Sequence, residues 1–184
     1  MKHIFSIFAL FLTGVLFSQI AIGKSSVTNT SVSLEFGSGN RGLILPWVFD
    51  ASTMTNAEPG TLVFDTTDKK IKYKKNLNLW QELTFNVSHT YNGVTLDTTG
   101  SVDLSAQIGI EEKTNAKVII GSNPSAETAP GILVLSDTNK AMILPKVASP
   151  HLNIINPSPG MVVYDTVKNM LCVFNGTVWT FWKP

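Results

Sequence analysis

The sequence carries the same block of residues twice, about 100 residues apart. Gly42–Val48 (GLILPWV) aligns with Ala141–Val147 (AMILPKV), at an offset of 99 residues. Pro59–Thr66 (PGTLVFDT) aligns with Pro159–Thr166 (PGMVVYDT), at an offset of 100. Because the two blocks keep both their order and their spacing, we interpret the chain as an internal duplication of one unit. Any fold for this chain must therefore contain two related modules.

Two further landmarks repeat at nearly the same offset and set the limits of the modules. They are Ile22-Gly23 with Ile120-Gly121, and Trp80 with Trp179. We predict a first module over 19–83 and a second over 118–184. The stretch 84–117 has no counterpart and alternates apolar and polar residues around an Asn-Gly turn, which predicts an extended connecting segment.

The first 18 residues are typical of an export signal. A short basic start is followed by fourteen uncharged residues, Ile4–Phe17, too few to span a bilayer. We predict cleavage after Ser18, because a cut after Gly23 would remove part of the first module. The expected location is outside the cell or at the cell surface, with the periplasm as the alternative, and no membrane span remains after cleavage.

Short strand patterns fill both modules. Val32–Phe36 alternates apolar and polar residues, and each repeated Pro-Gly leads into a short apolar run followed by an Asp-Thr turn. Asn175-Gly176 is the pair preferred in tight two-residue hairpins. No window has helical periodicity beyond a single turn. The predicted fold class is all-β, with two homologous small antiparallel β modules joined by an extended β-rich segment.

Charge and residue chemistry argue against several function classes. With 14 basic and 13 acidic residues, the chain lacks the positive surface that nucleic acid requires. Its one cysteine rules out an intrachain disulfide and a zinc thiolate cluster. His89 and His151 stand apart, and the adjacent Glu111-Glu112 would leave a strand in opposite directions. We therefore predict no catalytic residue, no metal and no cofactor, and a protein that is not an enzyme.

The modules differ most in the strand after the Asp-Thr turn. One face carries Lys70, Lys72 and Lys74 in the first module, where the second has Met170, Cys172 and Phe174. We interpret the lysines as a solvated edge strand. The apolar face needs a cover, supplied either by the connecting segment and C-terminal tail or by another subunit. Met170, Cys172 and Phe174 are thus predicted contacts in a homo-oligomer.

Aromatic residues suggest a second kind of contact. Trp182 has no counterpart in the first module, so we predict that it is exposed. Trp182, Trp47 and Tyr91 are the residues that would stack on a sugar if the chain were a carbohydrate-binding module.

The repeated blocks resemble a module of exported Bacteroidetes proteins. That module has Lys-Gly-(Leu/Phe)-Leu-Leu-Pro-Arg-Met, then Pro-x-x-Gly-Leu-x-(Ile/Val)-Tyr-Asn-Thr, then Tyr-Asn-Gly-x-x-Trp; Gly42–Pro46, Pro59–Thr66 and Phe174–Trp179 are similar to these. Trp47 and Lys146 replace its usual Arg. The resemblance covers both modules but not 84–117. It implies β-structure, the cell exterior and adhesin-like or tail-fibre-like neighbours, with no catalytic residues.

In such proteins some Asp-Thr sites are O-glycosylated, which marks Thr66, Thr98 and Thr166 as predicted sites. Turn chemistry explains the same Asp-Thr pairs equally well.

We therefore expect a secreted or cell-surface structural or adhesion protein that self-associates through its second module. A surface glycan or another cell-surface protein is a further expected partner. The alternatives are a carbohydrate-binding module and an exported hydrolase with dispersed carboxylates.

Overall fold

The computed structural model describes residues 19–113, 115–121 and 124–183, and the predicted signal peptide lies outside them. Almost all regular structure in these residues is β, so the predicted all-β class is confirmed. The first module forms β1 (Ile20–Ile22), β2 (Val32–Phe36), β3 (Leu43–Ile44), β4 (Trp47–Val48), β5 (Leu62–Asp65), β6 (Lys70–Asn76) and β7 (Leu79–Glu82).

The connecting segment forms one hairpin, β8 (Ser88–Tyr91) and β9 (Val94–Asp97). The second module forms β10 (Val118–Ile120), β11 (Leu133–Leu135), β12 (Ala141–Ile143), β13 (Lys146–Val147), β14 (Met161–Asp165), β15 (Met170–Phe174) and β16 (Trp179–Trp182). Short 3-10 turns cover Ala51–Thr53 and Pro124–Ala126, and α1 is the single turn Pro150–Asn153.

The duplication is visible in two sheets of the same design. The first has the order β4-β5-β6-β7, and the second has β13-β14-β15-β16. In each, the last three strands are antiparallel, as predicted, while the first pair, β4 with β5 or β13 with β14, is parallel. The parallel pair arises because the loop between these strands crosses over and returns the chain in its original direction.

One aspartate in each module ties this crossover loop to the hairpin. Asp65 Oδ1 accepts the amide of Thr67 at 3.0 Å, and its Oδ2 accepts the amide of Ala51 at 2.9 Å. Asp165 Oδ1 accepts the amides of Val167 at 2.8 Å and Ser149 at 3.1 Å. The predicted Asp-Thr turns are therefore present, and each carboxylate also fixes the loop that precedes it.

The two sheets pack face to face around a shared core. Buried residues of the first module, Leu45, Phe64 and Ile71, contact Val162 and Val173 of the second. Burial of this apolar surface is the main stabilising term, at about 25 cal/mol per Å². The modules thus form one hydrophobic core rather than two independent ones.

Strands also cross between the modules. β12 of the second module pairs in parallel with β2 of the first. In return, β3 of the first pairs antiparallel with β14 of the second. This exchange was not anticipated from the sequence, and it makes the modules interdependent.

The hairpin in the connecting segment turns at Asn92-Gly93, with φ of 50° and 76°, values that favour Asn and Gly. The prediction for Asn175-Gly176 was partly wrong. β15 and β16 do form a hairpin, but pairing starts at Phe174 with Trp179, so the loop has four residues. Asn175 Oδ1 accepts the amides of Thr177 and Val178, which closes this longer loop.

Candidate functional site

Each sheet has an outer face, on the side away from the shared core, and the two outer faces differ in chemistry. In the first module this face carries the lysines of β6. β6 lies between β5 and β7, so the interpretation of these lysines as a solvated edge strand was wrong. The reason is that β7 follows β6 in a second hairpin and covers its other edge.

These lysines are half-buried or buried and have acidic or aromatic partners. Lys72 Nζ lies 2.8 Å from Asp65 Oδ2 and also contacts Asp68, and Lys70 Nζ lies 2.8 Å from Glu82 Oε1. Lys74 lies over the ring of Trp80, 4.9 Å from its centre. The outer face of the first module is therefore an internally neutralised network rather than a positive strip.

Burial and ion pairing act in opposite directions on the Asp65 carboxyl. Burial alone raises its pKa, but the hydrogen bonds from Lys72 and from the Ala51 amide outweigh this, so the pKa lies below its usual value. The same pair raises the pKa of Lys72 despite its burial. Both groups are charged at neutral pH.

The outer face of the second module is an apolar cluster that the same chain covers. Cys172 is fully buried and Phe174 nearly so, and Met170 packs against the cluster; the other members are Val147, Ile154, Met161, Val163 and Trp179. Burial raises the pKa of the Cys172 thiol to about 11. Val147 of β13 and Ile154, which directly follows α1 in the crossover loop, are part of the cover. In a single folded chain, Cys172 and Phe174 therefore present no surface to a partner.

Because the second module has Cys172 where the first has Lys72, Asp165 lacks the charged partner that Asp65 has. Its Oδ2 is buried and has no hydrogen-bond partner within the described residues, whereas Oδ2 of the equivalent Asp65 receives Lys72. Burial raises the pKa of Asp165, but the amides of Val167 and Lys168 outweigh it and the pKa is lowered. The carboxylate is held by backbone donors as a structural anchor.

Trp47 and Trp182 lie at the junction of the modules and not on an open surface. Trp47 Nε1 donates to the carbonyl of Pro159 at 2.8 Å, and Trp182 Nε1 donates to the carbonyl of Leu83 at 2.8 Å. Both rings are half-buried beside the shared core. Trp182 was expected to be exposed; it is not, because its face of β16 packs toward the first module. Phe181, on the other face, is 41% exposed.

Of the three residues considered for sugar stacking, only Tyr91 is exposed, at the tip of the β8–β9 hairpin. The three predicted O-glycosylation sites differ in exposure. Thr66 is buried and its hydroxyl donates to Val48, Thr98 is half-buried with its hydroxyl bonded to Phe85, and Thr166 is exposed. Glycosylation at these sites stays a prediction.

A shallow cavity of about 480 Å³ lies between the 51–58 loop and the 128–130 segment. Glu58 is the one carboxylate in its lining, so this cavity holds no acid–base pair. Within the described ranges, no group of three or more His, Cys, Asp or Glu side chains is placed to hold a metal ion. No helix among those residues has the length and apolar character needed to cross a bilayer.

One feature of the surface was missed from the sequence. β10 and β11 form a parallel two-stranded ladder, whereas their equivalents β1 and β2 belong to a three-stranded sheet with β12. Within the described part of the chain, β11 has a partner on one side only. The sequence indicates β11 as a strand, because Leu133 aligns with Leu34 at the same offset of 99 residues, but it does not indicate which strands pair with β11.

The second module also exposes many apolar side chains. They are Val118, Ile132, Leu133, Leu152, Ile155, Val167 and Phe181. An all-β fold with an open strand edge and exposed apolar residues is typical of a structural protein that associates with other chains.

Residues 119–183, about one third of the chain, match the family model described as a phage tail like trimerisation region. Comparison with curated proteins and with solved structures gives no match. The matched stretch contains all of β11 to β16 and most of β10. The match supports a structural, self-associating protein, and it falls on the module for which self-association was expected.

Proposed function

We propose that this chain is a non-catalytic structural protein that assembles as a homotrimer through its second module. The observation that carries the proposal is the match of residues 119–183 to a phage tail like trimerisation region. The exposed apolar residues of the same module support it, since association would remove them from water. The first module then acts as the partner that completes the shared core.

We further propose that the assembled protein works outside the cell, in a surface or fibre-like structure with a role in adhesion. The apolar N-terminal segment and the resemblance to exported Bacteroidetes modules support this location. Recognition of a glycan or another surface protein would then belong to the assembled protein, with Tyr91 at a hairpin tip as an accessible aromatic residue.

Light scattering on the purified protein, at several concentrations, tests the proposed trimer. The expected result is a mass three times that of the single mature chain, retained on dilution into the low micromolar range. A mass equal to the single chain at every concentration would contradict the proposal. Fractionation of cells that express a tagged copy tests the location, and a signal confined to the cytoplasm would contradict that part.

A further inference from the structure

Each module has a parallel pair of strands at an equivalent position, but only the pair in the first module is extended by a third strand among the described residues. β1 pairs with β2 in the register Ile20 with Leu34, and β10 pairs with β11 in the register Val118 with Leu133. The two registers agree to within one residue of the repeat offset. β2 continues the sheet on its other side by bonding to β12, whereas β11 has no second neighbour among the residues that the structure describes.

The hydrogen bonds between β10 and β11 show which backbone amides and carbonyls of β11 face away from β10. The Val118 amide donates to the carbonyl of Ile132, and the Ser136 amide donates to the carbonyl of Ile120. Because alternate residues of a strand direct their backbone groups to the same side, Val134 also faces β10. The amides and carbonyls of Leu133 and Leu135 therefore face the open edge, which is a template for another strand.

The repeat indicates which strand fits this edge. β12, which fills the equivalent edge of β2, is the second-module counterpart of β3: Met142 and Ile143 align with Leu43 and Ile44. The first module is thus completed by the corresponding strand of the module that follows it. Among the described residues, no strand plays this part for the second module. The corresponding strand of a second copy of the chain is its β3.

We propose that β3 of a second copy adds to β11 as a parallel strand, with Leu43 opposite Leu133 and Ile44 opposite Val134. The register is that of β12 on β2, where Met142 lies opposite Leu34 and Ile143 opposite Glu35. This inference rests on the proposed self-association and names the contact that produces it.

The surroundings of both strands suit this contact. Among the residues that the structure describes, β3 is bonded on one side only, to β14, so its second edge is open to a strand from another copy. Ile44 is 48% exposed and Leu133 is 40% exposed, so pairing would bury apolar surface from each copy. Glu35, held by Lys24 in the first module, is replaced by the apolar Val134 at the equivalent position.

The contact joins the first module of one copy to the second module of another, so it is a head-to-tail interface. Such interfaces close into rings when the rotation between neighbours allows, and otherwise grow into filaments. Closure after three copies would give the trimer proposed above.

Two variants that each add one cysteine to the native Cys172 test the register. Ile44→Cys and Val134→Cys, produced together, should form a disulfide-linked dimer on mild oxidation, because parallel strands lie about 4.8 Å apart and disulfides span about 4.4–6.8 Å between Cα atoms. Neither variant alone should crosslink. The matched control replaces Val134→Cys by Ile132→Cys, two residues out of register, and should give at least a fivefold lower yield. The native Cys172 is buried in the folded chain and so is not expected to crosslink.

A proline substitution tests the edge by a second route. Leu135→Pro removes an amide that faces the open side and leaves the bonds to β10, so it should abolish assembly while circular dichroism stays unchanged. Leu135→Ala keeps the amide and should still assemble.

The outcomes separate the two proposals. A monomeric wild type overturns both the proposed function and this contact. A wild-type oligomer that gives no crosslink with the Ile44 and Val134 pair, or that crosslinks within either variant alone, overturns the contact only. If Leu135→Pro does not fold, the crosslinking experiment still decides.

Discussion

The outer faces of the two modules show how one backbone plan carries two kinds of chemistry. In the first module, Lys72 and Lys74 of β6 contact Asp65 and the Trp80 ring. In the second, the equivalent Cys172 and Phe174 belong to an apolar cluster. The strand order and the aspartate that ties each hairpin to its crossover loop are the same in both. The shared features of the two modules are therefore the strand order and the hydrogen bonds from backbone amides to this aspartate. The side chains of the outer face vary without changing either.

The two outer faces should also contribute unequally to the stability of the fold. The second sheet buries apolar residues on both faces, whereas the first buries them mainly on the face toward the shared core. Substitutions at equivalent positions should therefore lower the free energy of unfolding by unequal amounts, and measuring both tests whether the two faces differ.

The largest difference is expected at the equivalent positions Phe174 and Lys74. Phe174→Ala leaves a cavity in a covered cluster and should lower the free energy of unfolding by about 3–5 kcal/mol. Lys74→Ala removes a cation from an aromatic ring and should cost about 1 kcal/mol. Urea unfolding of both variants measures this, and equal losses would show that the two outer faces contribute alike.

A smaller effect is expected from the ion pair that only the first module has. Lys72→Met leaves Asp65 buried without its charged partner and should cost about 2 kcal/mol. The control is Lys70→Met, whose pair with Glu82 is more exposed and should contribute less than about 1 kcal/mol. Chemical unfolding at neutral pH compares them. A Lys72→Met protein as stable as the wild type would mean that the network does not stabilise the first module.

Acid should weaken the first module through Glu35, whose counterpart is Val134. Hydrogen bonds from Lys24 and Thr28 lower the pKa of Glu35 to about 2, from its usual value of 4.5. Since the unfolded chain takes up the proton first, the stability that this carboxylate supplies is lost as the pH falls from 4.5 toward 2. Thermal unfolding of the wild type should depend on pH across this window more steeply than that of Glu35→Gln. If the unfolding temperatures of the wild type and of Glu35→Gln changed equally with pH, the proposed role of Glu35 would be wrong.

The smallest effect is expected at Ile155, which is 85% exposed beside α1 in the second module. Ile155→Ser should change the free energy of unfolding by less than about 0.5 kcal/mol, because little surface is buried there within one chain. Unfolding is measured below the concentration at which the protein associates. A loss above 1 kcal/mol would mean that this side chain packs within the chain.

Much of the local structure could be predicted from the sequence. The hairpin turn at Asn92-Gly93 and the two aspartate turns follow from short-range patterns that fix backbone geometry. The repeat predicts modules over 19–83 and 118–184, and each range contains four strands paired in the same order.

Pairing between distant strands could not be predicted. The alternation in Val32–Phe36 identifies a strand but not its neighbour, which is β12, more than 100 residues away. For the same reason the packing of Trp182 on the first module was missed. The position of β6 inside its sheet was missed because the short hairpin from β6 to β7 was not recognised. The open edge of β11 becomes visible only once β2 is seen with its third strand.

Amide hydrogen exchange along β11 tests most directly the claim that the second module is completed by another copy. Val134 faces β10 and Leu135 faces the open edge, so the two neighbouring amides act as control and probe. In the assembled protein we predict slow exchange at both, and on dilution to the monomer a selective loss of protection at Leu135. Slow exchange at Val134 with free exchange at Leu135 in the oligomer would contradict the claim.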